Sequence, residues 1–135
     1  MVILIVGKKG SGKSHYAETL KAELEKESYK VAWLDGDKFR AEKGNNDYSD
    51  EGRIKNLKDA AKEAAEYEDA GYIVLCSFIA PQKKWRNMMR KYWQVSRVVY
   101  LPGGELWPGT HFQMPSEREI ETRYNYGFKD YDIEF

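Results

Sequence analysis

The sequence predicts an α/β fold: a parallel sheet of the P-loop NTPase type, flanked by helices, in one compact domain. Three observations carry that expectation. An unbroken apolar run, Val2-Ile3-Leu4-Ile5-Val6, leads directly into Gly7-Lys8-Lys9-Gly10-Ser11-Gly12-Lys13-Ser14, a G-x-x-x-x-G-K-[ST] loop. Apolar runs then alternate with polar, helix-forming segments, the order that builds right-handed β-α-β units. At 135 residues with 41% hydrophobic content, the chain has the material for one core but not for two ordinary domains.

The elements follow in order. The first run is continuous because a strand buried on both faces has no solvent side to make polar. Ser14 to Glu27 carries Tyr16, Ala17, Leu20 and Leu24 at helical spacing and predicts the helix that must follow the loop. Val31-Ala32-Trp33-Leu34, Tyr72-Ile73-Val74-Leu75-Cys76 and Val98-Val99-Tyr100-Leu101 read as three further strands. Between the second and third, Ser49 to Ala70 predicts a helix with an apolar face of Ile54, Leu57, Ala61, Ala64, Ala65 and Glu68, closed by Gly71 as a C-cap glycine. Gln82 to Trp93 predicts another helix. Residues 1–101 form the core of this 1–135 domain, and 102–135 an irregular loop and tail. Pro102 to Pro115, rich in Pro and Gly, reads as a loop with Trp107 as its anchor. Ser116 to Tyr124 reads as a short helix with Ser116 and Glu119 as a capping box. The aromatic tail from Tyr124 either packs on the domain or lies over a ligand.

Composition narrows the function. Lys plus Arg and Asp plus Glu both number 22, so no global charge draws the protein to nucleic acid or to a membrane surface. No apolar stretch approaches the length of a membrane span. The N-terminus lacks the basic start and cleavage site of a signal peptide. The single cysteine, Cys76, lies in an apolar run and reads as a reduced core residue, which fits a cytoplasmic setting. The oligomeric state is open, a homodimer included. His15 and His111 lack metal-ligand companions at suitable spacing.

The loop assigns the first site. Gly7, Gly10 and Gly12 let the backbone turn sharply and, with Ser11, bring N–H groups to phosphate oxygens at a helix N-terminus. Lys13 reaches the β- and γ-phosphates of ATP, and the Ser14 hydroxyl ligates Mg²⁺. A second site lies at the end of the second strand, Leu34-Asp35-Gly36-Asp37. One carboxylate, Asp35, suits orienting or deprotonating an attacking hydroxyl, and the other, Asp37, suits holding the magnesium shell. An ordinary acidic turn is the plainer reading of Asp-Gly-Asp by itself, and the adjacent P-loop reverses that preference.

At these residues the chain resembles the adenylylsulfate kinase family. The resemblance runs from Val2 to Arg90. It is carried by Gly7 to Ser14, by Leu34-Asp35-Gly36-Asp37-x-x-Arg40, by Arg53 and Asn56, and by Ala70-Gly71-Tyr72-Ile73-Val74-Leu75-Cys76-Ser77-Phe78-Ile79-Ala80-Pro81. It implies transfer of the γ-phosphate of ATP, with Mg²⁺, to the 3′-hydroxyl of adenosine 5′-phosphosulfate. It also implies that Arg40, Arg53 and Asn56 grip the acceptor's anionic end and that Tyr48 stands where the family usually has a Phe beside the acceptor base. Ser77, Phe78 and Ile79 then line the acceptor pocket. Two arginines suit that task, because a planar guanidinium holds phosphate or sulfate through two hydrogen bonds.

The chain also departs from the family. Where the family reads G-F-S-x-x-D-R-x-x-N-I-R-R, this sequence runs from Asp47 to Asp59, with Gly52 for the Asp before Arg53 and Lys58-Asp59 for the paired arginines. No counterpart of the family's lid follows the fourth strand, and Arg118, Arg123 and Lys129 are the candidates for replacement charge, with Tyr126 or Phe128 for stacking on a base. Two alternatives remain at this stage. A related P-loop kinase could phosphorylate hydroxymethylated pyrimidines in DNA, with Lys83 to Trp93 as a basic, aromatic contact face. The plainer reading of that segment is an amphipathic helix with solvated charges. A non-catalytic nucleotide-binding module is the other, and the intact Lys13, Ser14, Asp35 and Asp37 argue against it.

Overall fold

The central apolar run forms the middle strand of a five-stranded sheet. In the computed structural model, which describes residues 1–106 and 111–125, the chain order is β1 (Val2–Val6), α1 (Lys13–Lys26), β2 (Val31–Asp35), α2 (Gly36–Glu42), α3 (Asp50–Asp69), β3 (Ile73–Phe78), α4 (Lys83–Arg90), β4 (Val95–Tyr100), α5 (Glu117–Ile120) and β5 (Arg123–Tyr124). The spatial order is β2-β3-β1-β4-β5. The first four strands are parallel, with Val6 opposite Phe78 and Tyr100, and Asp35 opposite Ser77. This register brings the carboxyl ends of β1, β2 and β3 to one edge, where α/β sheets bind ligands.

Helices cover both faces. On one, Leu57, Ala60, Ala61 and Ala64 of α3 join Trp85 and Met89 of α4 against Val2, Leu4, Val74, Cys76 and Val98. Alanines at the contact let α3 lie close to the strands. On the other face, Ala17, Leu20 and Leu24 of α1 meet Ile5 and Leu75. Tyr16, expected on that stripe, is 36% exposed and turns away from it. Cys76 is buried as expected, and burial raises its thiol pKa far above the ordinary range.

The end of α3 matches its sequence signal closely. Gly71 has φ of 92°, its N–H bonds the Glu68 carbonyl at 3.0 Å, and the Tyr72 N–H bonds the Tyr67 carbonyl at 3.0 Å. That pair of bonds is the Schellman closure, and the Tyr67 and Tyr72 rings supply its apolar contact at 5.3 Å.

Four expectations need correction. No helix was expected after Asp35, yet Gly36–Glu42 form α2, tied down by buried Phe39. The helix expected over 82–93 ends at Arg90. Trp93 instead enters the core and donates to the Ala61 carbonyl at 3.0 Å. The helix expected over 116–124 stops at Ile120. Its Ser116 accepts from the Glu119 N–H as an N-cap, but the Glu119 side chain turns inward to Arg86 rather than completing the box. Arg123–Tyr124 then pairs antiparallel with Val95 and Ser96, covering what would be an open edge of β4.

The fourth correction concerns the Lys83–Trp93 segment. It is not a basic, aromatic surface. Arg86, Arg90 and Trp93 are fully buried and Trp85 nearly so. Arg86 pairs with buried Glu119 and donates to the carbonyls of Ala80 and Gln113, while Arg90 bonds Ser96 and the Glu121 carbonyl. A guanidinium is an expensive group to bury, and these two are spent joining α4 to the C-terminal segment. The DNA contact inferred from that segment therefore loses its surface. Arg123 is buried as well, bonding Asn125, so it does not supply charge to a phosphate site. Trp107, Tyr126, Phe128 and Lys129 lie outside the described residues.

Candidate active site

The P-loop leaves β1 at Gly7 and turns through Gly10 and Gly12, whose φ angles of 83° and 94° lie in the left-handed region that side-chain-bearing residues avoid. Gly12 is the N-cap of α1 and offers no side-chain acceptor, and the first turn carries no acidic residue. The first-turn N–H groups are thus left for an anion, and the helix dipole favours one there. Lys13 Nζ donates to the Lys8 carbonyl at 2.8 Å, lying across the loop. Burial lowers its pKa, and the charges of Asp37 and Asp35 work against that lowering.

The Pro/Gly segment after β4 returns to this loop. Lys9 and Glu105 exchange backbone hydrogen bonds of 3.0 and 2.8 Å, an isolated antiparallel bridge. The Leu101 N–H bonds the Val6 carbonyl at 2.9 Å, holding the base of the strap.

Asp35 stands at the end of β2, facing the N-terminus of α1. Its Oδ1 accepts from the Ser14 hydroxyl at 3.0 Å and from the Ser77 hydroxyl at 2.8 Å. Asp37 is exposed in the first turn of α2, where its charge acts on Lys13. Ser14 is therefore bonded to Asp35, not to Asp37.

The other end of the site is built from α2, the connection after it and the start of α3. Arg40 donates to the carbonyls of Asn45 and Asp47 at 3.2 and 3.0 Å and lies 4.6 Å from the Tyr48 ring centre. Arg53 donates to the Tyr48 carbonyl at 2.9 Å and lies 5.4 Å from the same ring. Burial, and then the charge of Arg40, push the Arg53 guanidinium below its ordinary range. Two cations on one aromatic ring call for an anion. The connection is locked from within: Asp47 accepts from the Ser49 N–H at 2.9 Å and hydroxyl at 2.6 Å, and Asn45 donates to the Gly52 carbonyl at 2.9 Å.

A cavity of about 640 Å³ joins the two ends. Its wall includes Gly10, Gly12, Lys13, Ser14, Asp35, Asp37, Arg40, Tyr48, Arg53, Asn56, Ser77, Phe78 and Ile79. Of the sequence-assigned residues, only Gly7 and Ser11 are absent from the wall. Asn56 is buried, not solvated, and among the described residues its Oδ1 has no hydrogen-bond partner, nor does Trp85 Nε1 at the same cavity. A buried polar atom without a partner is costly, and a ligand in the cavity relieves that cost. Trp85, Lys9, His15, Leu57 and Pro81 were missed as wall residues. For Trp85 the only sequence signal was its position after Pro81, and an apolar helix face explained that equally well.

Residues 1–126 match the family model for adenylylsulphate kinase. The chain belongs to the adenylylsulfate kinase family. A probable adenylyl-sulfate kinase of Aeropyrum pernix is 36% identical over 102 residues, 75% of this chain and 56% of the relative. The adenylyl-sulfate kinase of Bacteroides thetaiotaomicron is 35% identical over 125 residues, 92% of this chain and 60% of its own length. Among solved structures, the APS kinase of Mycobacterium tuberculosis in complex with AMPPNP and APS superposes with a TM-score of 0.69 at 27% identity, over 73% of this chain and 60% of that one. The chain thus spans between half and two thirds of the length of these relatives.

Proposed function

We propose that residues 1–135 form one kinase domain that transfers the γ-phosphate of ATP to a hydroxyl of a nucleotide-like acceptor, with adenylylsulfate as the acceptor. The observation that carries this reading is one cavity with a P-loop and Asp35 at one end and the Arg40–Tyr48–Arg53 stack at the other. Kinase names among the relatives support the reaction class, and the buried free thiol of Cys76 supports a reducing, cytoplasmic setting.

The residues divide the work. The P-loop N–H groups and Lys13 hold the triphosphate, and Lys13 keeps protons for it beyond the one given to Lys8. The donors near Ser14 fit a magnesium ion. Ser14 gives its proton to Asp35 and keeps its oxygen lone pairs, and Asp37 adds a hard oxygen in the next turn. No cluster of three or more His, Cys, Asp or Glu forms an all-protein cage among the described residues, as suits an ion held largely by phosphate and water. When bound, that ion neutralises charge on the β- and γ-phosphates. Asp35 accepts the proton of the acceptor hydroxyl through the oxygen not taken by Ser14 and Ser77. Arg40 and Arg53 hold the acceptor's anion, Tyr48 stacks on its base, and Asn56 bonds it from the floor.

The test is transfer of label from γ-labelled ATP with Mg²⁺ to adenylylsulfate. Labelled phosphoadenylylsulfate is the expected product. ATP binding with no labelled product would refute the acceptor, and no ATP binding would refute the kinase.

A further inference from the structure

Behind Asp35 stands an indole. Trp33 lies two residues earlier on the same face of β2, and Ser77, paired with Asp35 across the strands, lies beside both. Trp33 Nε1 donates to Ser77 Oγ at 2.8 Å, and Ser77 Oγ donates to Asp35 Oδ1 at 2.8 Å. Ser77 is 1% exposed. Trp33 packs with Leu75, Ala17 and Leu24 beneath α1, and the Lys38 ammonium lies 5.5 Å from its ring centre on the outer side.

Every bond in this chain has one allowed direction. An indole N–H only donates, an ionised carboxylate only accepts, and a serine hydroxyl has a single proton. With the indole hydrogen on a Ser77 lone pair, the Ser77 proton is directed to Asp35. Ser14 and Ser77 then converge on Oδ1, and Oδ2 is left for the acceptor. We propose that Trp33 is a positioning residue for phosphoryl transfer, acting through Ser77 to set the orientation of the Asp35 carboxylate. This rests on the kinase reading given above. Trp33 does not line the cavity, so its effect reaches the reaction only along the chain. A phenylalanine in its place keeps an aromatic ring under α1 and removes the donor, freeing the Ser77 hydroxyl to rotate.

The test compares Trp33→Phe, Ser77→Ala and the double variant, each checked for an unchanged melting curve, with ATP, Mg²⁺ and adenylylsulfate. We expect Trp33→Phe to lower kcat about tenfold, the scale of one misdirected hydrogen bond. The KM for ATP should stay unchanged, and adding Trp33→Phe to Ser77→Ala should cost nothing more. An unchanged kcat, a change confined to KM, or the same loss in both backgrounds overturns the proposal. The Trp33 indole resonance in ¹⁵N-labelled protein, assigned by its disappearance in Trp33→Phe, provides a readout that needs no turnover. It should move in Ser77→Ala and in Asp35→Asn, and a resonance unmoved by both overturns the chain. Wild-type protein that fails to label adenylylsulfate refutes the acceptor reading, and the resonance still decides the role of Trp33.

Discussion

Asp47 occupies the volume that a side chain on Gly52 would need. A Cβ at position 52 would stand 2.1 Å from the Asp47 carbonyl oxygen and 2.5 Å from the Asp47 Cβ. In the family pattern the glycine falls at position 47 and the aspartate at 52, so this chain has exchanged the two. The carboxylate that the pattern places on the helix comes here from the connection, and it caps Ser49.

Gly52→Ala must therefore push its new Cβ against backbone, because the nearest atom is a carbonyl oxygen. The expected cost is about 1–3 kcal/mol of stability, read from urea midpoints. The exchange variant Asp47→Gly/Gly52→Asp should recover only part of that loss, because it removes the Asp47 side chain and keeps the carbonyl oxygen. A midpoint for Gly52→Ala equal to wild type would show that the contact yields freely.

The same turn should respond to acid. The Ser49 hydroxyl bond first, then its backbone bond, lowers the Asp47 pKa in the folded chain. A depressed folded value means that the turn's order is present above the unfolded aspartate range and is lost as pH falls through the lower, folded value. The Ser49 amide shift, followed by NMR, should hold constant down to that range and then move, and in Asp47→Asn the titration should vanish.

Arg86 and Glu119 form a fully buried pair. Removing one member strands the other, so Arg86→Met should cost about 3–5 kcal/mol, and Arg86→Met/Glu119→Leu should cost less than Arg86→Met by itself. Arg86 also bonds the Ala80 carbonyl at 2.8 Å, where the cavity wall carries a φ of 40°. The acceptor KM should therefore rise in the double variant even where stability returns.

Lys13→Ala and Asp35→Asn should separate binding from chemistry. The first should weaken ATP binding measured by calorimetry. The second should leave ATP affinity near wild type and lower turnover by about 10²–10⁴. Equal turnover in Asp35→Asn would remove this carboxylate from the reaction.

The strand, loop and helix around Gly7–Ser14 were legible because each local signal agreed with its neighbour: a run buried on both faces, glycines at the turn, and apolar residues at helical spacing after it. The Gly71 closure was legible for the same reason. The failures share a different cause. Arg86 and Arg90 look like surface charge in any window of sequence, and their burial becomes tolerable through partners that no window shows: Glu119, 33 residues from Arg86, and backbone carbonyls of the C-terminal segment. Likewise Arg123–Tyr124 is a strand only because β4 offers an edge. The site followed the same division. Asp35 and the P-loop came from contiguous motifs, whereas Trp33 and Trp85 acquire roles only when β2, β3 and α4 are placed side by side.

The bridge between Lys9 and Glu105 changes how a nucleotide would be received. A glycine-rich loop fastened only at its two ends must surrender much of its freedom when phosphate arrives, and that loss subtracts from affinity. Here the middle of the loop is clamped by a segment almost a hundred positions away, so its entropy is given up during folding. On the proposed kinase reading the chain that follows β4 takes part in setting nucleotide affinity, and a Glu105→Pro exchange, which deletes one of the two clamp bonds, should make ATP binding entropically costlier without touching a single phosphate contact.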